Sequence, residues 1–139
     1  MTLPIPPLVT HDGGCLCGAV RYAVHGEPKV SMICHCNTCR RAAGAPVVAW
    51  VTFPTDRFSL VRGAPAAFHS TPPVTRTFCA TCGTPLTYVH AERPSEIDVC
   101  TATLDDPEAF PPTHHSWVSE SPRWLRFGDG LRAHERAGG

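Results

Sequence analysis

The sequence lacks an excess of either charge, since twelve basic residues are balanced by twelve acidic residues and the formal net charge is zero. A protein whose main partner is nucleic acid normally needs a basic excess to neutralise phosphates. The sequence also has no apolar run that approaches the roughly 20 residues of a transmembrane helix. We therefore predict neither a nucleic-acid partner nor a membrane span.

The first nine residues, Met1 to Val9, lack the features of a secretory signal peptide. They contain no basic residue, no apolar run of useful length and three prolines. We therefore expect a cytoplasmic protein in a reducing compartment. In such a compartment the eight cysteines indicate metal binding in preference to a disulfide framework.

A chain of 139 residues fits one domain with a modest apolar core. The predicted zinc-binding β domain spans 13–130. It is preceded by an N-terminal arm at 1–12, which includes the proline-rich leader Met1–Pro7, and it is followed by a C-terminal tail at 131–139.

Short segments of alternating apolar and polar residues predict a mainly β fold of antiparallel strands. Val47–Phe53 differs, because its continuous apolar run indicates a central strand that is buried on both faces. Phe58–Val61 and Ala66–Ser70 are predicted to form a hairpin. The remaining predicted strands are Ala19–His25, Lys29–Ile33, Val74–Phe78, Thr84–His90 and Glu96–Thr103, with helical turns at Arg40–Ala43 and Asp105–Phe110.

All but one of the cysteines lie in three closely spaced groups. The densest is Cys34-His35-Cys36-Asn37-Thr38-Cys39, which contains three thiols in six residues. Cys15 and Cys17 are flanked by glycines that let the backbone turn tightly. Cys79 and Cys82 have the two-residue gap of a zinc knuckle, and thiols at these spacings can converge on one ion.

Two arrangements of these thiols are open. A single zinc ribbon would leave three clustered thiols without a role; its ligands would be Cys36, Cys39, Cys79 and Cys82. A two-site arrangement uses every clustered thiol. Its tetrathiolate site has the ligands Cys15, Cys17, Cys79 and Cys82, and its three-thiolate site, with one open position, has Cys34, Cys36 and Cys39. The spacing favours two sites without excluding the ribbon.

Cys100 stands alone in an alternating strand, and we predict a buried, small apolar residue that binds no metal. A fourth ligand from Cys100, His114 or His115 would close the three-thiolate site. That outcome would favour the alternative to an enzyme, a non-catalytic zinc-stabilised binding module.

Three motifs resemble, in this order, the glutathione-dependent formaldehyde-activating enzyme family, whose related branch includes centromere protein V. They are Gly14-Cys15-Leu16-Cys17-Gly18, Cys34-His35-Cys36-Asn37-Thr38-Cys39-Arg40 and Cys79-Ala80-Thr81-Cys82-Gly83. The resemblance runs from about Gly13 to Phe127. It implies a β-tent fold of small antiparallel sheets pinned by zinc-cysteine knuckles, with two zinc ions per chain. It also implies a structural zinc on the first and third cysteine groups and a catalytic zinc on the middle group.

The resemblance implies a carbon-sulfur lyase, since the founding activity of the family joins glutathione and formaldehyde into S-hydroxymethylglutathione. Three thiolates make zinc a poor Lewis acid toward water and suit a soft fourth ligand. We therefore expect a small thiol substrate, with glutathione as the candidate, and formaldehyde or a related aldehyde as the second reactant.

Besides the three middle cysteines, the candidate catalytic residues are His35 and Arg40. His35 is either a solvated residue of the cluster, or a proton carrier or extra ligand. Arg40 and Arg41 are candidates to receive substrate carboxylates, with a solvated role favoured for Arg41. The aromatic residues of the C-terminal segment, Trp117 and Trp124, are predicted to cover the core.

Overall fold

The computed structural model describes residues 8–138, so the predicted leader Met1–Pro7 lies outside the described residues. Within that range eleven strands accompany one α-helix, α1 (Asn37–Ala43), and the predicted mainly β fold is confirmed. The strands are β1 (Thr10–Gly14), β2 (Arg21–His25), β3 (Val30–Cys34), β4 (Val48–Pro54), β5 (Phe58–Arg62), β6 (Ala66–Thr71), β7 (Val74–Phe78), β8 (Pro85–His90), β9 (Glu96–Cys100), β10 (His114–Ser116) and β11 (Arg132–Ala133).

The strands form two sheets. A three-stranded antiparallel sheet has the order β1-β2-β5, and an eight-stranded sheet has the order β11-β10-β3-β4-β9-β8-β7-β6. In the larger sheet, neighbouring strands pair antiparallel along the part of this order that reads β3-β4-β9-β8-β7-β6. The short strand β10 departs from the predicted antiparallel pattern, because it runs parallel to both β3 and β11.

The main core lies between the two sheets. Tyr22 and Val24 of β2 pack in one cluster with Val51 and Phe53 of β4 and Val99 of β9, and all five are at most 1% exposed. Removing this much apolar surface from water is the dominant favourable term in folding. The core therefore fixes the position of β2 against the centre of the larger sheet.

A second, smaller cluster lies on the opposite face of β4. Val48 and Trp50 pack there with Cys34, Cys39 and Cys100. Because successive side chains of a strand point to opposite faces, β4 contributes to both clusters. This confirms the prediction of a central strand that is buried on both faces.

The predicted hairpin of Phe58–Val61 and Ala66–Ser70 is wrong. β5 pairs with β2 in the small sheet, whereas β6 pairs with β7 in the large sheet. Gly63 lies between them at φ 77°, a conformation that glycine adopts without steric cost. The glycine turns the chain from one sheet to the other instead of folding it back on itself.

Two other predicted elements end differently. The strand predicted at Glu96–Thr103 stops at Cys100, and Thr101–Thr103 forms a 3-10 turn in which the Thr103 hydroxyl donates to the Cys100 carbonyl at 2.7 Å. The helical turn predicted at Asp105–Phe110 is a single hydrogen-bonded turn and not a helix: the Ala109 amide donates to the Asp106 carbonyl at 3.3 Å, and the Asp106 carboxylate accepts the Glu108 amide at 3.1 Å. Such local side-chain bonds compete with regular structure.

The helical turn predicted at Arg40–Ala43 belongs to a longer helix that starts at Asn37. The predicted domain bounds stay a prediction; β1 begins at Thr10, and β11 lies beyond residue 130. In the described part of the chain, no helix has the length and apolar character needed to cross a membrane.

Candidate metal centres

Four cysteine sulfurs converge where the two sheets meet. Cys15 and Cys17 follow β1, whereas Cys79 and Cys82 lie between β7 and β8, and the four sulfurs all lie within 4.8 Å of one another. The Cys15 and Cys17 sulfurs are 3.6 Å apart, and those of Cys17 and Cys79 are 3.8 Å apart. Tetrahedral zinc with Zn–S bonds of 2.3 Å requires a sulfur separation of about 3.8 Å. The four thiols therefore fit a closed tetrathiolate site.

Backbone amides and a hydroxyl stabilise negative charge on these sulfurs. The amide of Val20 donates to the Cys15 sulfur at 3.2 Å, and the amide of Cys82 donates to the Cys79 sulfur at 3.4 Å. The Thr84 hydroxyl lies 3.2 Å from the Cys82 sulfur.

Hydrogen bonds from Thr84 lower the pKa of Cys82 to about 5. A backbone hydrogen bond also lowers the pKa of Cys15. The pKa of Cys17 is raised to about 11, because a hydrogen bond from the Ala19 backbone, which lowers it, is outweighed by desolvation and the neighbouring sulfurs. Some of the thiols therefore favour the thiolate, the form in which cysteine binds metal, and a bound cation would be needed to ionise all four.

The middle group of thiols lies on the other face of the large sheet. Cys34 ends β3, Cys36 is the N-cap of α1 and Cys39 lies in the first turn of that helix. Their sulfurs also lie within 4.8 Å of one another, and among residues 8–138 no histidine, cysteine or carboxylate completes a fourth position in the group. Three converging thiols fit a metal site with one open position.

The three middle thiols perturb one another strongly. Hydrogen bonds with the sulfurs of Cys34 and Cys39 lower the pKa of Cys36 to about 2. The pKa of Cys34 is raised, first of all by its hydrogen bond with Cys36. Three sulfurs at this spacing cannot all ionise at neutral pH without a cation between them, because like charges repel. The arrangement is the one expected of residues that share a divalent ion.

A cavity of about 210 Å³ is lined by all three middle cysteines. Its wall includes Ser116, whose hydroxyl is buried without a hydrogen-bond partner among the described residues. The side chain is 1% exposed. Nε2 of His114, another residue of the cavity wall, is also buried without a partner among those residues. A buried polar group without a partner is costly, so the cavity offers two unsatisfied polar groups beside its thiols. His114, a fourth-ligand candidate from the sequence, is thus a cavity residue that lies outside the group of three converging sulfurs.

Three further cavity residues, Arg76, Tyr88 and Asp98, were not predicted from the sequence. Strand pairing places them in one row across β7, β8 and β9. Burial raises the pKa of Asp98, and the Thr52 hydroxyl donates to its carboxylate. One sequence signal could have identified Arg76. It lies two residues after buried Val74 on an alternating strand, so its side chain is on the buried face.

His35 contacts residues on the side of β3 away from this cavity. Its Nδ1 lies 3.0 Å from the Ser121 hydroxyl, and its Nε2 lies 2.9 Å from Nδ1 of His115. Nε2 of His115 in turn lies 2.8 Å from the Asp129 carboxylate. Burial lowers the pKa of His35. Both ring nitrogens of His35 have hydrogen-bond partners, and these bonds fix the position of the backbone between Cys34 and Cys36.

The predicted arginines do not line the middle cavity. Arg40 is half-buried and its guanidinium lies 3.5 Å from the Asn37 side-chain oxygen. Arg41 is exposed and lines a separate cavity of about 660 Å³. Neither arrangement brings a carboxylate-binding group to the open position.

The two C-terminal tryptophans have different environments. Trp117 packs against the second cluster and lines the middle cavity, and its backbone has φ 60°, a strained value for a residue other than glycine. Trp124 is 75% exposed. The prediction that it covers the core is wrong, because the segment after β10 turns its ring into solvent.

Cys100 belongs to neither group of converging sulfurs, although it packs in the same cluster as Cys34 and Cys39. It is 7% exposed and packs with Trp50 and Val48 in the second cluster, and burial raises its pKa to about 12. A neutral thiol in an apolar site behaves as a small apolar side chain.

We expect Cys100→Ser to leave the metal content of the protein unchanged. The serine hydroxyl has to be buried in the second cluster, so the free energy of unfolding should fall by about 1–3 kcal/mol. Elemental analysis and denaturant melts measure both quantities. Loss of one ion from this variant would mean that Cys100 closes the middle site.

Comparisons with known proteins agree with these features. A sequence model of the family described as glutathione-dependent formaldehyde-activating enzyme matches residues 10–120. A protein from Halomonas elongata that carries the family's name is 28% identical over 128 residues, which cover 84% of this chain and 80% of that protein.

A Schizosaccharomyces pombe protein named an uncharacterized lyase is 34% identical over 82 residues, and the match spans 58% of each chain. A crystal structure of a Rhodobacter sphaeroides protein superposes with a TM-score of 0.60 at 25% identity, covering 88% of this chain and 98% of that one. Since the family match extends over most of the chain and includes all three cysteine groups, this protein belongs to the glutathione-dependent formaldehyde-activating enzyme family.

Proposed function

We propose that this protein is a zinc-dependent carbon-sulfur lyase that joins a small thiol, such as glutathione, to formaldehyde or a related aldehyde. One observation carries the proposal: three converging sulfurs border a cavity, and the described chain supplies no fourth ligand. In the reaction a bond forms between the thiol sulfur and the aldehyde carbon. The carbonyl double bond becomes a single bond, and the thiol proton ends on the new hydroxyl group.

The two sulfur groups take different roles in this proposal. Cys15, Cys17, Cys79 and Cys82 would hold a structural zinc, whereas Cys34, Cys36 and Cys39 would hold the catalytic one. When bound at the three thiols, zinc would supply a position that takes a substrate sulfur in its deprotonated form at neutral pH.

The cavity suits an extended thiol in preference to a compact one. Cys34 pairs with Val48 on β4, and Asp98 pairs with Thr52, four residues further along the same strand. At 3.3 Å per residue this separates the two ends of the cavity by about 13 Å along the strand. Asp98 therefore lies far along the strand from Cys34, and it would contact the distant end of a substrate.

Charges of both signs lie at that distant end. Arg93 lines the cavity together with Asp98 and Glu96. An amino-acid group with its ammonium and carboxylate would find a partner for each charge there. Glutathione carries such a group, and we assign the carboxylate contact predicted for Arg40 to Arg93. His35 would act by positioning Cys34 and Cys36 through Ser121 and His115.

We expect a cobalt-loaded sample to respond to glutathione. Cobalt at a three-thiolate site should gain sulfur-to-metal charge-transfer absorption when a fourth thiolate binds, because the open position accepts it. Titration in the near-ultraviolet measures the change, and S-methylglutathione, which lacks a free thiol, is the matched control. Product formation from glutathione and formaldehyde is then followed by NMR.

An unchanged spectrum with every thiol tested, at full cobalt occupancy of both sites, would contradict the proposal. In that case the non-catalytic zinc-stabilised module becomes the better description of the protein.

A further inference from the structure

Arg76 is a buried cation without an acidic partner. The residue is 8% exposed, and none of the ion pairs formed among residues 8–138 includes its guanidinium. A buried charge is costly unless an opposite charge or several hydrogen bonds compensate it. No carboxylate of residues 8–138 balances this buried positive charge.

The contacts of Arg76 identify that group. Its two terminal nitrogens, Nη1 and Nη2, lie 3.8 and 3.7 Å from the Cys39 sulfur. Nη2 also lies 3.5 Å from the Thr38 hydroxyl, and Nε donates to the Ser70 hydroxyl at 3.1 Å. The guanidinium carbon lies 5.0 Å from the centre of the Tyr88 ring, which adds a cation–π contact. The charge is thus fixed in place and directed at one sulfur of the middle group.

The charges of a loaded middle site complete the account. Three thiolates and one divalent ion sum to a single negative charge, which the guanidinium neutralises. We propose that Arg76 is the built-in counter-ion of the three-thiolate site, a positioning residue that stabilises the metal-bound thiolates through Cys39. This inference rests on the proposed function only in taking the middle group as a metal site.

The four-cysteine group supports the distinction by contrast. It obtains its hydrogen bonds from backbone amides and from Thr84, and no arginine side chain donates to its sulfurs among the described hydrogen bonds. Substituting Arg76 therefore removes hydrogen bonds from the middle site and none from the four-cysteine site. The metal affinity of the four-cysteine site serves as an internal reference in each variant.

The test compares three variants in competitive metal titrations with a chelator. Arg76→Gln removes the charge and keeps hydrogen-bonding capacity, and Arg76→Lys keeps the charge and removes the planar fork. Arg41→Gln is the control, because it changes an exposed arginine of α1, the helix that carries Cys39. Cobalt absorption resolves the two sites, and thermal melts report the stability of each variant.

We expect Arg76→Gln to weaken metal binding at the middle site by about 10–100-fold, the usual effect of losing a partner that contacts a metal ligand. Affinity at the four-cysteine site should not change. Arg76→Lys should lie closer to the wild type than Arg76→Gln does, and Arg41→Gln should equal the wild type.

Middle-site affinity in Arg76→Gln within twofold of the wild type would overturn the inference, and so would a lysine variant as weak as the glutamine variant. A loss that is equal at both sites would also overturn it, because that result indicates a general role in stability. If Arg76→Gln does not fold, Ser70→Ala provides the same test, since it removes the acceptor of Nε on the edge strand β6. It should weaken only the middle site, by up to about tenfold, and an unchanged affinity would refute the inference.

The outcome does not depend on catalysis. An active enzyme with an unaffected Arg76→Gln variant would refute the counter-ion role alone. If the metal affinity of the middle site depends on Arg76 as expected but the protein accepts no thiol, the proposed function alone is refuted.

Discussion

Replacing Cys79 by serine is expected to unfold the protein under conditions in which the wild type is stable. Cys79 is 1% exposed, and its sulfur group joins the loop after β1 to the connection between β7 and β8. These segments belong to different sheets, so the bound metal would pin the two sheets together. Structural zinc contributes about 10–16 kcal/mol in zinc-finger peptides, which is as large as the whole stability of a typical domain.

Circular dichroism, thermal melts and metal analysis of Cys79→Ser measure this effect. The matched control is Cys100→Ser, which makes the same chemical change at a buried cysteine outside both sulfur groups. A folded Cys79→Ser variant that still carries two ions would contradict the structural role of the four-cysteine site. A wild type that binds one ion would do so as well.

The grouping of the cysteines could be predicted because much of it is local. Spacings such as that of Cys15 and Cys17, or of Cys79 and Cys82, bring sulfurs together through the geometry of a single turn. The association of those two pairs is long-range, with the Cys17 and Cys79 sulfurs meeting across 62 residues. Two arguments from the sequence indicated that the two pairs associate: a two-site arrangement uses every clustered thiol, and the family resemblance implies the same grouping.

The sheet partners of β5 and β6 could not be predicted in the same way. The sequence between them contains Gly63 and Pro65, which indicate a turn but not the strand that pairs next. Gly63 approaches the backbone so closely that an added Cβ would lie 2.2 Å from the Ala19 carbonyl oxygen. That constraint comes from tertiary contact, which no local pattern contains.

The cavity residues were missed for a related reason. Arg76 and Asp98 occupy ordinary positions in alternating strands, and the register of β7, β8 and β9 alone brings them into one row with Tyr88. The available signal was a charged residue, Arg76, on the buried face of a strand. The signal alone does not name the partner of that charge, because Cys39 is brought to the same face by α1.

Replacing Cys36 by serine is expected to abolish the response of the cobalt-loaded protein to thiols while leaving the fold intact. Cys36 is one of three middle ligands, and two thiolates are too few to hold the ion at this site. The residue is also the N-cap of α1, where its sulfur accepts the Cys39 amide at 3.4 Å. Serine is among the preferred N-cap residues, so the helix keeps its first turn.

Cys36→Ser therefore separates the two metal sites, because the four-cysteine group and the main core do not include residue 36. The variant should bind about one metal ion, and it should melt within a few degrees of the wild type that carries no metal at the middle site. In the proposed lyase reaction it should form no detectable product. Cys36→Ala is the informative companion, since it removes the cap as well and should cost about 1 kcal/mol more than serine. A serine variant that still binds two ions and responds to glutathione would mean that the metal is held elsewhere, and the assignment of the three-thiolate site would fail.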